Sequence, residues 1–406
     1  MISARRRSAG SVGGGTVSPG LEWGQSSYTY MVDDTTKPSL TNPHGVTVTY
    51  SSSNTNAATI DANTGAITYV GSGTTTLTAS FAGNSQYLPE DATCTLRVMI
   101  YDELYLTFKA TANGTFQYSS AGTGSQLEYS LDSGSTWTSL GYATASPTVT
   151  AGNTIMWRGT RTPATSGTYG IGTFSATANF EAYGNTMSLL YGDNFVTQKT
   201  LGRNYALYRL FAGNTRLTNA ENLIFPATAC TSNCYAGSLS GCTALVTAPK
   251  VLPATTTASY CYSNMFRGDT KLVTPPQISA TSLTGTYTFQ YMFYGCSVLA
   301  SAPALPATTL TNYCYRYMFY NCKKLTESPI LAALTLTSNC YYRMFYGCTL
   351  LSTITCKATN ISASNCTNNW VYGVASSGTF YKNSSMSSWS TGNNGIPSNW
   401  TVQNAK

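Results

Sequence analysis

Charged residues are scarce in this chain, since Lys, Arg, Asp and Glu together make up 9% of its 406 residues. The formal net charge is +7, and apart from Arg5, Arg6 and Arg7 the basic residues are scattered along the sequence. A nucleic-acid interface needs a clustered basic face that displaces counterions. We therefore expect no nucleic-acid partner.

Histidine is almost missing, because His44 in an Asn-Pro-His-Gly turn is the only one. A histidine-based triad, a His/Cys zinc site or an acid–base histidine needs partners that the sequence does not place near it. The carboxylates form no recurrent pair, and their adjacent pairs are Asp33-Asp34, Glu90-Asp91 and Asp102-Glu103. The sequence predicts a protein that is not an enzyme, with no catalytic residue, metal or cofactor. A glycosidase dyad assembled from distant carboxylates stays open as an alternative.

Long apolar runs are missing too, since no stretch of 18 apolar residues occurs. A membrane-spanning helix needs about 20 such residues, so we expect no membrane span. The start, MISARRRSAGSVGGG, has charges but no apolar segment behind them, unlike a secretory signal. Its Met1 favours assembly in a cytoplasm, as for phage structural proteins, over export. Residues 1–19 are predicted to be a flexible tail, which either anchors the chain to other virion proteins or is simply disordered.

What the chain does contain is a repeat in its C-terminal half. The clearest copies read TNYCYRYMFYNCKKL (311–325) and TSNCYYRMFYGCTLL (337–351). The Phe of each MF pair serves as the anchor position, and the spacings between anchors are 28, 27, 27, 26 and 26 residues. The anchors are Phe211, Leu239, Phe266, Phe293, Phe319 and Phe345, with a decayed copy near Val371. Repeats of this length form stacked units that present a surface, which predicts binding.

Each copy is predicted to contain one short helix. Relative to the anchor, positions −5, −4, −1, 0 and +3 are mostly Cys, aromatic, Met, Phe and Cys. This spacing approximates one face of a helix. The leucine at +6 starts a short strand, which a proline such as Pro276 or Pro303 ends. A single copy cannot bury its apolar stripe, so copies should stack and the terminal copies should be capped. We predict a cap over 371–406, with a surface that stacks on sugar rings as the alternative.

The pattern CY..MF.GC..L followed by AP.LPATTL resembles the BspA-type leucine-rich repeats of Bacteroidales surface proteins and of their bacteriophages. The resemblance covers roughly residues 200–370, and the solenoid is predicted over residues 199–370. It implies an α/β leucine-rich-repeat solenoid that attaches to host, matrix or partner surfaces, and it supplies no catalytic residue.

Twelve cysteines raise the question of disulfides. On the expected helix, positions −5 and +3 lie about 12 Å apart, too far for a bridge within one copy. We favour buried thiols that pack as small apolar groups. Bridges between copies are the alternative, because Asp269 and Thr288 each replace a cysteine in adjoining copies.

Two β domains are predicted ahead of the repeat. In residues 20–100, alternating segments at 46–50, 66–70 and 75–79 are separated by Asn/Gly turns, as in a β-sandwich. The run SSSNTNAATIDANTGAITYVGSGTTTLTASF (51–81) resembles bacterial Ig-like domains of the group 2 type, which implies a spacer or a carbohydrate-facing module. Residues 101–198 are predicted to form a second sandwich-like domain.

Residues 130–137, SLDSGSTW, resemble the Asp-box of sialidases. In that motif the Asp and Gly close a hairpin and the Trp packs beneath it. Sialidases carry several copies and an arginine cluster, whereas this chain has one copy. We therefore expect a structural turn.

Tyrosine recurs beside the buried stripe. Tyr294, Tyr320 and Tyr346 follow three successive anchors, and Tyr291 and Tyr317 stand two before theirs. Such a row suits the recognition of sugars or protein loops. Its alternative role is to stiffen the repeat by packing ring on ring.

The sequence thus predicts a modular attachment protein with a mostly β fold. The leading hypothesis is a phage virion component, such as a head or tail fibre or a decoration protein, that binds a host-surface or mucin glycan or a protein. A bacterial cell-surface adhesin is the alternative, and a carbohydrate-active enzyme is a third. A homo-oligomer stays open.

Overall fold

The computed structural model describes residues 17–119, 127–141, 143–159, 171–387 and 389–405. The chain divides into two compact units, Met1–Glu103 and Leu104–Lys406. Over the described ranges, strands dominate and one α-helix is present, α1 at Ser188–Tyr191. The prediction of a mostly β chain is confirmed. No helix in these ranges is long and apolar enough to cross a membrane.

The first unit is built on a four-stranded sheet. Its strands are β1 (Glu22–Trp23), β2 (Ser27–Met31), β3 (Leu40–Thr41), β4 (Thr49–Ser52), β5 (Ala58–Ile60), β6 (Ile67–Tyr69), β7 (Gly73–Phe81) and β8 (Glu90–Met99), followed by a 3-10 turn at Tyr101–Glu103. The sheet order is β2-β8-β7-β4, with β1-β3 and β5-β6 as separate pairs. Along β8, Ala92, Cys94, Leu96 and Val98 are buried and alternate with outward residues. This alternation is typical of a sheet with one buried face.

Most of the predicted tail, residues 1–16, lies outside the described residues. Val17 forms a parallel bridge with Tyr87, and Ser18 donates a hydrogen bond to Glu90 at 2.5 Å. The chain is thus attached to the first unit from residue 17 onward.

The second unit begins with a mainly antiparallel sheet. Its strands are β9 (Leu106–Ala110), β10 (Phe116–Ser119), β11 (Leu127–Ser130), β12 (Thr138–Ser139), β13 (Thr154–Gly159), β14 (Thr173–Ala176) and β15 (Phe180–Asn185); α1 and a 3-10 turn at Gly192–Asn194 follow. The main sheet runs β12-β11-β13-β9-β15, and β10 pairs with β14. Trp157 and Phe108 lie fully buried at its centre, with ring centroids 5.5 Å apart.

The repeats continue this sheet as stacked coils. The remaining strands are β16 (Leu217–Asn219), β17 (Leu223–Ile224), β18 (Val251–Leu252), β19 (Gln277–Ile278), β20 (Thr353–Cys356), β21 (Thr379–Lys382) and β22 (Thr401–Asn404). Strands β16 and β17 pair in parallel with β15, and parallel bridges such as Thr247↔Thr274 and Glu327↔Thr353 join later coils. One apolar core therefore runs from Leu106 to Trp400.

The expected helix in each copy is wrong, and with it the α/β leucine-rich-repeat solenoid. The turn segments, which span positions −6 to +2 of each copy, are consecutive β-turns. In the third copy, the N–H groups of Tyr262, Asn264 and Phe266 bond to carbonyls of the next coil, at 2.8 to 3.0 Å. The N–H groups between them, such as those of Ser263 and Met265, bond three residues back within their own coil. Successive N–H groups therefore alternate between a hydrogen bond to the next coil and a β-turn hydrogen bond within their own coil.

The physical reason is a period of four instead of 3.6. Positive φ recurs at −6, −2 and +2, for example at Tyr260 (59°), Asn264 (59°) and Gly268 (82°). Side chains then face inward in pairs and outward in pairs, as the burial of residues 313–322 shows. Over one short segment the apolar positions of this pattern are nearly those of a helix. Left-handed residues at every fourth position exclude a helix.

Both ends of the coil stack are covered by aromatic rings. At the start, Phe211 stacks on Phe174 with centroids 5.7 Å apart. At the end, Trp389 lies parallel to Trp370 at 5.7 Å. The core beneath is thereby removed from water.

The cysteines are buried thiols, and all twelve are free. At position +3 the thiol donates to the carbonyl of the previous coil's anchor, as from Cys322 to Phe293 at 3.1 Å and from Cys348 to Phe319 at 2.9 Å. This contact explains why a small, weakly polar side chain recurs there.

Asp269 occupies the same position in the third copy. It is fully buried, between coils that carry Cys242 and Cys296. Burial raises the pKa of Asp269 well above its ordinary value, and the backbone at Cys242 and Gly241 offsets part of that rise. Because the folded-state pKa is the higher one, this carboxyl's contribution to stability is complete below the unfolded pKa of about 3.9. It is lost as the pH rises toward the folded-state pKa.

The variant Asp269→Cys restores the residue of the neighbouring coils. We expect it to raise the free energy of unfolding at pH 8 by about 1 to 3 kcal/mol, since folding at that pH must either protonate Asp269 or bury its charge. At pH 4 the two proteins should be close in stability. Denaturant unfolding at both pH values measures the difference. An equal shift at pH 4 and pH 8 would contradict the titration of Asp269.

Candidate functional site

The outward positions of the turn segments form one surface, here called the turn face. It consists of positions −6, −3, −2, +1 and +2 of the seven copies anchored from Phe211 to Val371. Equivalent residues of successive coils lie side by side, because the backbones are hydrogen-bonded in register. Each position therefore makes a column of side chains across the stack.

The five predicted tyrosines lie in two of these columns. In the +1 column, the Tyr294 and Tyr320 rings stack at 4.6 Å with an interplanar angle of 5°, and Tyr320 stacks on Tyr346 at 4.8 Å and 7°. In the −2 column, Tyr291 stacks on Tyr317 at 4.8 Å and 11°. The ring–ring packing considered in the sequence analysis is thus present. The rings present their edges and hydroxyls outward, because neighbours cover their faces.

The turn face also includes rings that the sequence analysis missed. Tyr372 extends the +1 column beyond Tyr346, at 4.6 Å and 17°, and is 45% exposed. In the −6 column, Tyr260, Tyr287 and Tyr313 stack at 4.5 and 4.4 Å. The available signal was a polar or glycine residue recurring at every fourth position, with Gly at +2 in six of the seven copies. That signal indicates left-handed turns, which point the −6 position outward.

Arginines lie against these rings. The guanidinium of Arg267 is 5.1 Å from the Tyr294 ring centre and 5.5 Å from that of Tyr291. That of Arg316 is 5.0 Å from the Tyr317 ring, and that of Arg343 is 5.5 Å from the Tyr346 ring. Such contacts hold the charged groups in place at a modest gain each.

The turn face has a one-sided charge. Its columns contain the four arginines Arg209, Arg267, Arg316 and Arg343, and none of the five turn-face positions is acidic in any of the seven copies. The fold therefore brings four of the 22 basic residues, which are scattered in the sequence, onto one face. Burial raises the pKa of Tyr317 and of Tyr320 above the usual value, so these hydroxyls stay protonated at neutral pH and can donate hydrogen bonds.

Several bulky side chains on the turn face sit on strained backbone. Tyr291 and Tyr317 have φ of 57°, and Arg343 has φ of 51°. The left-handed conformation costs about 1 to 2 kcal/mol for residues other than Gly and Asn. Asn264 and Asn369 occupy the same column. Tyr291 and Tyr317 thus occupy positions where the left-handed backbone disfavours tyrosine relative to asparagine or glycine.

The Asp-box segment is a turn, as its residue order predicts. Asp132 accepts hydrogen bonds from Thr136 Oγ1 at 2.6 Å and from Ser130 Oγ at 2.7 Å, and Trp137 Nε1 donates to the Gly134 carbonyl at 3.1 Å. Hydrogen bonds, those from Thr136 foremost, lower the pKa of Asp132 to about 2. The side chains of Ser130, Asp132, Thr136 and Trp137 thus all form hydrogen bonds within the turn.

A charged cluster lies next to that turn. Arg158 bonds to Glu128 at 2.8 Å and to Asp193 at 2.7 Å, and its guanidinium lies 4.3 Å from the Trp137 ring centre. Tyr105 donates to Asp193 at 2.8 Å. Burial, more than this hydrogen bond, raises the pKa of Tyr105, which is the opposite of what a tyrosine nucleophile needs. The cluster is an ion-pair network.

The remaining sequence candidates are dispersed. His44 is exposed and stacks on Tyr87 at 4.8 Å. Glu103 accepts a hydrogen bond from Ser72, and Asp34 accepts one from the Met31 N–H. Among the described residues, no group of three or more His, Cys, Asp or Glu side chains is placed to hold a metal ion.

Stacking in the +1 column predicts a graded loss of stability. Tyr320 contacts a ring on each side and Tyr372 contacts one, and each aromatic pair contributes about 0.5 to 1.5 kcal/mol beyond area burial. Tyr320→Ala should therefore lower the free energy of unfolding by about 1 to 3 kcal/mol, and Tyr372→Ala by about half as much. Urea titration measures both, with Tyr320→Phe as the control that keeps the ring. Equal losses at the two sites would argue against the ladder.

Comparison with models of protein families finds no match to this chain. Comparison with curated proteins likewise finds no match.

Proposed function

We propose that this chain is a non-enzymatic attachment protein whose turn face binds an anionic host surface. The observation that carries the proposal is the composition of that face: four arginines, no carboxylate, and tyrosine hydroxyls in register. Arginine and tyrosine are the residues that interfaces favour, because they provide large contact areas and directional hydrogen bonds. An anionic glycan or an acidic protein surface is the complementary partner.

Backbone strain supports a role beyond folding. Tyr291 and Tyr317 occupy a conformation that Asn or Gly adopts at lower cost, and both alternatives occur in the same column. Strained residues that a fold retains are enriched at functional sites. Partial stiffening by ring stacking and binding by ring edges are compatible, since they use different parts of the side chain.

We place the protein in a phage virion, as a fibre or decoration component, with a bacterial cell-surface adhesin as the alternative. The motif CY..MF.GC..L, which resembles BspA-type repeats, supports both, although the coils are turns and short strands without the expected helix. In this proposal the Ig-like segment at 20–100 is a spacer, and residues 1–19 are the attachment to other virion proteins.

A triple variant separates binding from stiffening. Tyr294→Phe, Tyr320→Phe and Tyr346→Phe together keep every ring of the central ladder and remove three hydroxyls. We expect the melting temperature to change by less than about 2 °C. Binding of the labelled protein to Bacteroidales cells should fall at least about tenfold, since hydrogen bonds contribute about 0.5 to 1.5 kcal/mol each. Unchanged binding would show that the hydroxyl row is not the contact surface.

The site of assembly has its own test. Mass spectrometry of purified phage particles and of host outer membranes should detect the chain in the particles. Detection in the membranes alone would refute the virion proposal and favour the adhesin.

A further inference from the structure

The turn face is interrupted by a groove at the second coil. Three turn-face positions of this coil hold the small residues Ala236, Gly237 and Ser240, where several later coils carry tyrosine or arginine. The groove has a volume of about 520 Å³, and its walls are formed by residues of the first, third and fourth copies. Neighbouring strands lie about 4.8 Å apart, so one coil without large side chains leaves roughly 9 to 10 Å between the flanking rows. That gap is wide enough for one ring lying parallel to the ladder.

Tyr260 is the end of an aromatic stack at this groove. One face of its ring is covered by Tyr287 at 4.5 Å and an interplanar angle of 4°. On the other side the second coil has Asn233 at the same position, and no further ring stacks on Tyr260 within the described ranges. A ligand ring in the groove can therefore stack on the face of Tyr260 that no ring of the described residues covers. The negative face of an aromatic ring attracts the C–H groups of a saturated ring as well as aromatic edges.

Two arginines flank the same groove. Arg209 lies on the first coil and its side chain covers Gly237 of the second coil. A Cβ added to Gly237 would lie 3.4 Å from Cγ of Arg209. Arg267 lies on the third coil, and both arginines are exposed. Neither forms an ion pair with any described carboxylate, and no acidic residue lines the groove. The two guanidinium groups are thus free to bind an anion from opposite sides.

The rest of the lining is made of amides and hydroxyls. Asn233, Asn264 and Gln290 contribute amides, and Ser240 and Ser263 contribute hydroxyls. These groups both donate and accept hydrogen bonds, as the hydroxyls of a sugar require. A bare anion uses only donors, and a peptide carboxylate has no ring for Tyr260.

We propose that this groove binds one acidic sugar residue, a pyranose that carries a carboxylate. Its C–H face stacks on Tyr260, its carboxylate pairs with Arg209 and Arg267, and its hydroxyls contact the amides and Ser240. The inference rests on the proposed attachment function and names the ligand class within the same turn face. It adds a contact for a single sugar residue at the second and third coils, beside the tyrosine columns of the later coils.

The ligand test uses two matched pairs of sugars with the full chain. Titration calorimetry compares sialyllactose with lactose, and methyl glucuronide with methyl glucoside. We expect one acidic sugar to bind at least about tenfold more tightly than its neutral partner, as charge-assisted hydrogen bonds predict. Equal binding of the acidic and neutral partners, no binding of either acidic sugar, or preferential binding of a deoxythymidine oligonucleotide would each overturn the proposal.

Substitutions taken from other coils locate the binding site. Ser240→Tyr gives the second coil the tyrosine that the fourth and fifth coils carry at this position, Tyr294 and Tyr320. The new ring fills the groove, so binding of the acidic sugar should be lost. Arg209→Asn introduces the residue that the third coil has at this position, Asn264, where the backbone has the same positive φ. Because a charged hydrogen-bond donor is lost, binding should weaken about ten- to a hundredfold. The control is Arg216→Asn, which changes an exposed arginine of the first copy that lies outside the turn face and does not line the groove, and it should leave the affinity unchanged.

Folding is checked by the melting temperature of each variant, and attachment by cell binding. If cells bind the protein and the groove variants bind sugars as the parent does, the groove proposal fails and the attachment function stands. If the parent binds the acidic sugar but no cells, the attachment function fails and the groove stands. An equal loss in Arg209→Asn and Arg216→Asn would contradict a site at the groove.

Discussion

The hydrogen-bond pattern of the turn segments is the constraint on which the coil stack depends. Every second N–H, such as that of Phe266 to Met292, joins one coil to the next, and the N–H groups between them close β-turns within the coil. Both uses are needed, because a buried backbone group without a partner costs about 1 to 3 kcal/mol. The pattern requires a left-handed residue at every fourth position, and the side chains follow from it: two inward, then two outward.

This arrangement separates the structural and the candidate binding residues more strictly than a helix does. The inward pairs build continuous aromatic columns, as in the stacking of Phe293 on Phe319 at 5.5 Å. The outward pairs are held at nearly the same spacing, so any ring placed there stacks on its neighbour. Charge is separated in the same way. Arginines lie against rings on the outside, whereas Asp269, the one fully buried carboxyl among the described residues, has its pKa raised by burial.

The sequence predicted the stacking, the buried anchors, the free thiols and the outward tyrosines Tyr294, Tyr320 and Tyr346. The predicted helix was wrong, because the apolar positions of one short segment cannot distinguish a period of four residues from one of 3.6. The glycines at +2 carried the missing information, yet Tyr260 and Tyr291 at equivalent positive-φ positions concealed it. The groove could not be predicted from one copy. It arises from the difference between Ser240 and its large equivalents, which matters only once the coils are aligned in space.

The regular spacing between coils affects how the turn face can evolve. Since each coil bonds only to its two neighbours, duplicating one copy of 26 or 27 residues lengthens the face by about 4.8 Å and leaves all other contacts intact. A copy with small outward residues adds a slot one ring wide, and a copy with tyrosines closes one. The second coil, with Ala236, Gly237 and Ser240, is one such unit. New ligand preferences can therefore arise by recombination among copies, without redesign of the core.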